Sequence, residues 1–118
     1  MSALKETIRK LAQIKDFFSK QTTYHFYSSS IVVTYEANLE ELIENNRENK
    51  QQSLLVDELV RVKMIDFAHV LGDRRCIDHN YLFGLEKLFS YLCRLLEKEY
   101  IFKDVRHCDK RIENLKFQ

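Results

Sequence analysis

Leu4, Ile8, Leu11, Ile14 and Phe18 recur at steps of three and four residues, the spacing that stacks side chains on one face of an α-helix. The stripe predicts an amphipathic helix at the start of the chain, with Ser2 as its N-cap. From Thr23 to Glu36 the character turns aromatic and β-branched. Tyr24, Phe26 and Ser28 fall on one face and Ile31-Val32-Val33 is continuously apolar, which predicts a strand buried in its second half. Leu39, Leu42 and Ile43 suggest a short helix, and Glu44 to Ser53 is polar throughout, an expected flexible loop. Leu54 to Phe67 is predicted as a strand, because Val60, Val62 and Met64 alternate with Arg61 and Lys63. After a loop from Ala68 to His79, Asp78 can cap a second long helix. Its stripe of Leu82, Leu85, Leu88, Phe89, Leu92 and Leu96 is wide enough for full burial. Phe102, Val105, Ile112 and Leu115 predict a third helix in the basic tail. The order predicts one α+β domain over residues 1–118, with short antiparallel strands packed against helices and a flexible loop at 44–53.

Composition narrows the partners. Nineteen basic and eighteen acidic residues nearly cancel, so no global field draws the chain to nucleic acid or acidic membranes. No apolar run approaches the roughly 20 residues of a membrane span. Three cysteines, an odd number, and a start without a secretory apolar region point to an intracellular chain in cytoplasm or nucleus. With two glycines there is no glycine-rich phosphate loop. Cys76-x-x-His79 and His107-Cys108 carry zinc-binding atoms, but the second pair is adjacent rather than spaced as ligand pairs are, and zinc is not expected. Arg74-Arg75 and the basic tail could meet an anion, although such charges more often form a solvated surface.

The most specific chemistry lies in Val60-Arg61-Val62-Lys63-Met64-Ile65-Asp66-Phe67-Ala68-His69. It reads as a strand that delivers one carboxylate, Asp66, at its end, a common way to hold magnesium against nucleotide phosphates. With Phe26-Tyr27-Ser28-Ser29-Ser30-Ile31-Val32-Val33 before it and Asp78-His79-Asn80-Tyr81-Leu82-Phe83-Gly84-Leu85 after it, the chain resembles the inositol polyphosphate kinase family. That family has an SSLL-type serine strand, an IDF metal motif and a D-x-G-Y-x-x-G-L helix start in this order.

The resemblance runs from about Leu4 to Leu96 and implies the C-terminal lobe of such a kinase. The family's P-x-x-x-D-x-K-x-G signature cannot be here, since the chain has no proline. The catalytic Asp/Lys pair and an N-terminal lobe are therefore expected to lie outside it. The implied cofactors are ATP and Mg2+ and the implied substrate is an inositol polyphosphate. Asp66 would bind the metal and nucleotide, with Ser30 assisting, and His69 would contact the inositol. A histidine after IDFA resembles the multikinase and hexakisphosphate kinase branches, whereas IDFGK marks the trisphosphate 3-kinase branch. Asn80 replaces the usual glycine and is expected to tolerate left-handed backbone angles. Tyr81 and Gly84 are expected to be structural, the glycine permitting close helix approach. The alternative function is a catalytically inactive remnant that binds a protein or a polyphosphate.

Overall fold

The computed structural model describes residues 2–45 and 52–107. In chain order the elements are α1 (Ser2–Lys20), β1 (His25–Phe26), β2 (Ser30–Tyr35), α2 (Leu39–Asn45), α3 (Gln52–Leu59), β3 (Val60–Ile65), β4 (Val70–Leu71) and α4 (His79–His107). This is the α+β arrangement of helices and short antiparallel strands that the sequence pattern predicts.

The core forms where the two apolar helix stripes meet. Leu11 and Phe18 of α1 are 1% and 0% exposed and pack with Leu85 of α4, at 3%. Leu82, Leu88, Phe89 and Leu92 of α4 surround this centre, with Ile31, Val62 and Met64 from the strands. The strand residues share a face because β2 and β3 are antiparallel in the register Ile31↔Met64, Val33↔Val62 and Tyr35↔Val60. Ser30↔Ile65, Val32↔Lys63 and Thr34↔Arg61 occupy the other face. Lys10 of α1 binds the main chain where α3 hands over to β3, donating to the carbonyls of Asp57 and Val60. Arg9 pairs with Asp57 at 3.0 Å, so α1 holds both the core and this junction.

Several expectations change. The strand expected over Leu54–Phe67 begins only at Val60, and 52–59 are helical. Leu55, Val56 and Leu59 carry a helical spacing that the stronger alternation from Val60 onward obscures. Helices α2 and α3 take the margins of the expected 44–53 loop; residues 46–51 lie outside the described residues. The strand expected from Thr23 to Glu36 is interrupted at Ser28, which has φ 61°. Residues 102–107 continue α4 instead of starting a third helix, and the rest of that expected helix lies outside the described residues. Asn80 sits in the first turn of α4, and positive φ falls instead at Ser28, Asp66, Asp73 and Arg75. A Cβ on Gly84 would meet nothing within 4 Å, so no close helix approach requires that glycine.

Tyr81 packs its ring against Phe18 and Phe26, with centroids 4.6 and 5.9 Å away. Its hydroxyl is buried without a hydrogen-bond partner among the described residues. Burial, and secondarily the negative charge of Asp78, raises the phenol above its usual value of 10.0. Below pH about 10 the phenol is neutral folded or unfolded, so stability there is independent of its titration. Above that value the unfolded chain releases the proton while the folded chain retains it, and stability falls. Denaturant melts of wild type and Tyr81→Phe are therefore expected to diverge above pH about 10, the phenylalanine variant becoming the more stable. Near neutrality the variant should match or slightly exceed wild type, because it deletes an unpaired buried hydroxyl. A variant less stable at every pH would contradict this.

Candidate functional site

Between the two strand pairs the ladder is broken. β1 pairs with β4 through Phe26↔Val70, and β2 with β3 through Ser30↔Ile65. Residues 27–29 on one side therefore face residues 66–69 on the other, one residue longer. An extra residue bends a strand and re-aims its side chains, as in a β-bulge. Asp66 stands at this point with φ 68°, and Ser28 opposite has φ 61°. Two hydrogen bonds stitch the bends together. Ser29 Oγ donates to the Asp66 carbonyl at 2.8 Å, and the Tyr27 amide donates to the His69 carbonyl at 2.9 Å. Asp66, Ser29 and His69 thus belong to one local unit.

The side chains differ in how far they are committed. The Asp66 carboxylate is exposed and accepts a long, 3.5 Å hydrogen bond from the Ala68 amide. A positive φ costs an ordinary L-residue about 1–2 kcal/mol, and aspartate is among the few side chains that accept it readily. Ser30 is exposed one position from the break and opposite Ile65. The serine that reaches Asp66 is Ser29, through its carbonyl; the sequence offered three consecutive serines and no register to separate them. The His69 imidazole is exposed and makes no hydrogen bond among the described residues. No group of three or more metal-ligating side chains occurs among the described residues.

What fixes the bend is Asp78. It is 2% exposed. Oδ2 accepts the Phe26 amide at 2.7 Å, and Oδ1 accepts the Tyr81 amide at 3.0 Å. One carboxylate thus caps α4 and anchors β1, and the positive end of the helix dipole favours its charge. Sequence reading found the cap but could not see the strand it also holds. Beside the bend lies a recess of about 300 Å3, lined by Phe26, Ser28, Ser29, Asn80, Tyr81 and Gly84 among others. The bare surface of Gly84 leaves this recess open. Cys76 and His25 form a pair that sequence spacing could not reveal, with Nε2 3.5 Å from Sγ and 3.1 Å from the Cys76 carbonyl oxygen.

The α+β lobe thus sets the exposed Asp66 carboxylate at a broken ladder, the His69 imidazole three residues later and the Asp78-capped start of α4 beside the same bend. The comparisons give the family. The inositol polyphosphate kinase family model matches residues 1–93, and the chain belongs to that family. Inositol polyphosphate multikinase alpha of Arabidopsis thaliana is 36% identical over 90 residues, covering 76% of this chain and 28% of the relative. Inositol hexakisphosphate kinase 2 of Oryctolagus cuniculus is 29% identical over 115 residues, covering 76% of this chain and 27% of the relative. A solved structure of inositol phosphate multikinase matches with a TM-score of 0.55 at 33% identity, covering 75% of this chain and 33% of that one. The chain thus spans 28% of the length of the Arabidopsis relative it matches.

The backbone at Asp66 can be tested on this chain alone. Asp66→Asn and Asp66→Gly should leave thermal stability nearly unchanged, since both residues accept φ near 68°. Asp66→Ala should cost about 1 kcal/mol, because a Cβ without a compensating polar group is strained there. Equal melting temperatures for the alanine and glycine variants would show that this backbone conformation carries no such strain.

Proposed function

We propose that this chain is the C-terminal-lobe part of an ATP-dependent inositol polyphosphate kinase. The observation that carries the reading is the placement of the family's motifs on one bend: the serine strand and the Ile65-Asp66-Phe67 motif face each other there, and the Asp78 helix start fastens it from below. The donor set suits magnesium, a hard ion that binds through one or two carboxylates and otherwise keeps water and phosphate oxygens. Asp66 would hold the ion, with Ser30 or its neighbour Ser29 assisting. Bound there, magnesium would neutralise charge on the ATP phosphates during γ-phosphoryl transfer.

The residues of the chain supply positioning. The exposed His69 imidazole donates a hydrogen bond to a phosphate of the inositol substrate. Its carbonyl is held by Tyr27, so the ring departs from a fixed base. The missing nucleotide contacts and the catalytic Asp/Lys signature would come from an N-terminal lobe. The chain works inside the cell, in cytoplasm, nucleus or both, a reading supported by its odd number of cysteines. No helix among the described residues is long and apolar enough to cross a membrane.

The second reading is a catalytically inactive binding module.

Kinetics with an enzyme carrying both lobes separate the roles. His69→Ala should weaken apparent affinity for the inositol polyphosphate by about 1.5–3 kcal/mol, one charge-assisted hydrogen bond. The ATP Michaelis constant should move little. Equal losses for both substrates would remove His69 from the inositol site. Tight inositol polyphosphate binding without turnover, even with both lobes present, would favour the binding-module reading.

A further inference from the structure

Helix α4 turns its leucine stripe to the core, yet two of its aromatic side chains face the other way. Phe83 and Tyr91 are each 60% exposed. At about 100° per residue, Phe83, Arg94, Lys87, Lys98 and Tyr91 fall in that order within an arc of about 80°. The middle of the arc lies nearly opposite Leu85, which is 3% exposed in the core. The stripe runs about 22 Å along the helix axis. Its three cations are exposed, and none pairs with a carboxylate among the described residues. Lys87 Nζ stands 5.4 Å from the Phe83 ring centroid, and the Arg94 guanidinium 5.6 Å from that of Tyr91. One border of the stripe carries Glu86 and Glu97. The other turns through Leu95 into an apolar groove of about 440 Å3 between α1, β2 and the second half of α4.

Aromatic rings and arginine are enriched at contact surfaces, and unpaired cations call for an anionic partner. The geometry limits which one. The ring faces of Phe83 and Tyr91 are taken by the helix's own cations, so nucleic-acid bases have no free platform to stack on. A broad anionic layer would overlap the border and set Glu86 and Glu97 against like charge, which disfavours a lipid surface. A single peptide segment fits within the stripe. We propose that the outer face of α4 docks an acidic protein segment with interspersed apolar side chains. Its carboxylates meet Lys87, Arg94 and Lys98, and its apolar side chains pack on the edges of Phe83 and Tyr91. The cation–π contacts hold Lys87 and Arg94 over the rings, which lowers the ordering cost of binding. The proposal uses no residue of the Asp66 bend and is independent of the kinase reading.

The test is fluorescence anisotropy of a dye-labelled synthetic peptide of glutamates interspersed with leucine and phenylalanine, titrated with the full chain. Saturable binding is expected, tighter than for a polyglutamate peptide of equal length and weakened by salt. Lys87→Glu with Arg94→Glu should weaken it at least about tenfold. Circular dichroism and melting temperature should stay unchanged, since both positions are exposed. Phe83→Ser with Tyr91→Ser is the second variant, should the first disturb folding, and is expected to remove the preference over polyglutamate. No binding of the mixed peptide by the parent chain, or equal affinity for polyglutamate, overturns the inference. So does binding that a folded variant retains in full. Tighter binding to phosphatidylserine vesicles or to polyuridylate would make the face a lipid or nucleic-acid surface and also overturn it.

Discussion

A single buried carboxylate holds this lobe in register. Asp78 accepts one amide from β1 and one from the first turn of α4, joining segments fifty-two and three residues away in sequence. Water is excluded at that point, since Asp78 is 2% exposed. Losing either donor would leave a buried charge short of a partner, a cost of several kcal/mol, so strand and helix are obliged to stay together. The rest follows from that joint. With Phe26 fixed, β1 and β4 must pair beside it, the ladder must break before Ser30, and the bend carrying Asp66 and His69 must stand over the helix start.

The arrangement separates rigid from available groups. Asp78 and Tyr81 are spent on the joint, and the aromatic contacts of Phe18, Phe26 and Tyr81 fill the space behind it. Asp66 and His69 are held by their backbones and leave their side chains exposed. On the proposed reading of a phosphoryl-transfer enzyme, which has little covalent chemistry to perform, such positioned and exposed side chains are the useful product of the fold. The groove between α1, β2 and the second half of α4 is built differently, from leucines with glutamates among its lining.

Much of this was legible in the sequence. The α1 and α4 stripes, the cap at Asp78 and the alternation from Val60 to Met64 each state a local preference that packing then respects. The misreadings share a cause. Leu54 to Leu59 was absorbed into a strand because apolar residues continue without a break into β3, and only the fold decides where the period changes from 3.6 to 2. The break at Ser28 was hidden because a positive φ at serine leaves no trace in composition. Register also lies beyond local reading: which of three serines meets Asp66, and that His25 lies against Cys76, depend on pairings across some forty to fifty residues. The motif resemblance nevertheless marked the three segments that the joint brings together.

The claim that Asp78 governs the site is tested most directly by native-state hydrogen exchange on the intact chain. The Phe26 and Tyr81 amides should be among the slowest to exchange, with opening free energies equal to that of global unfolding, although Phe26 lies in a strand of two residues that would otherwise fray. In Asp78→Ala both should drop together to local opening, along with the amides of Tyr27 and Val70. Rapid exchange at Phe26 in the wild-type chain, or protection of either amide that survives loss of the carboxylate, would contradict the account.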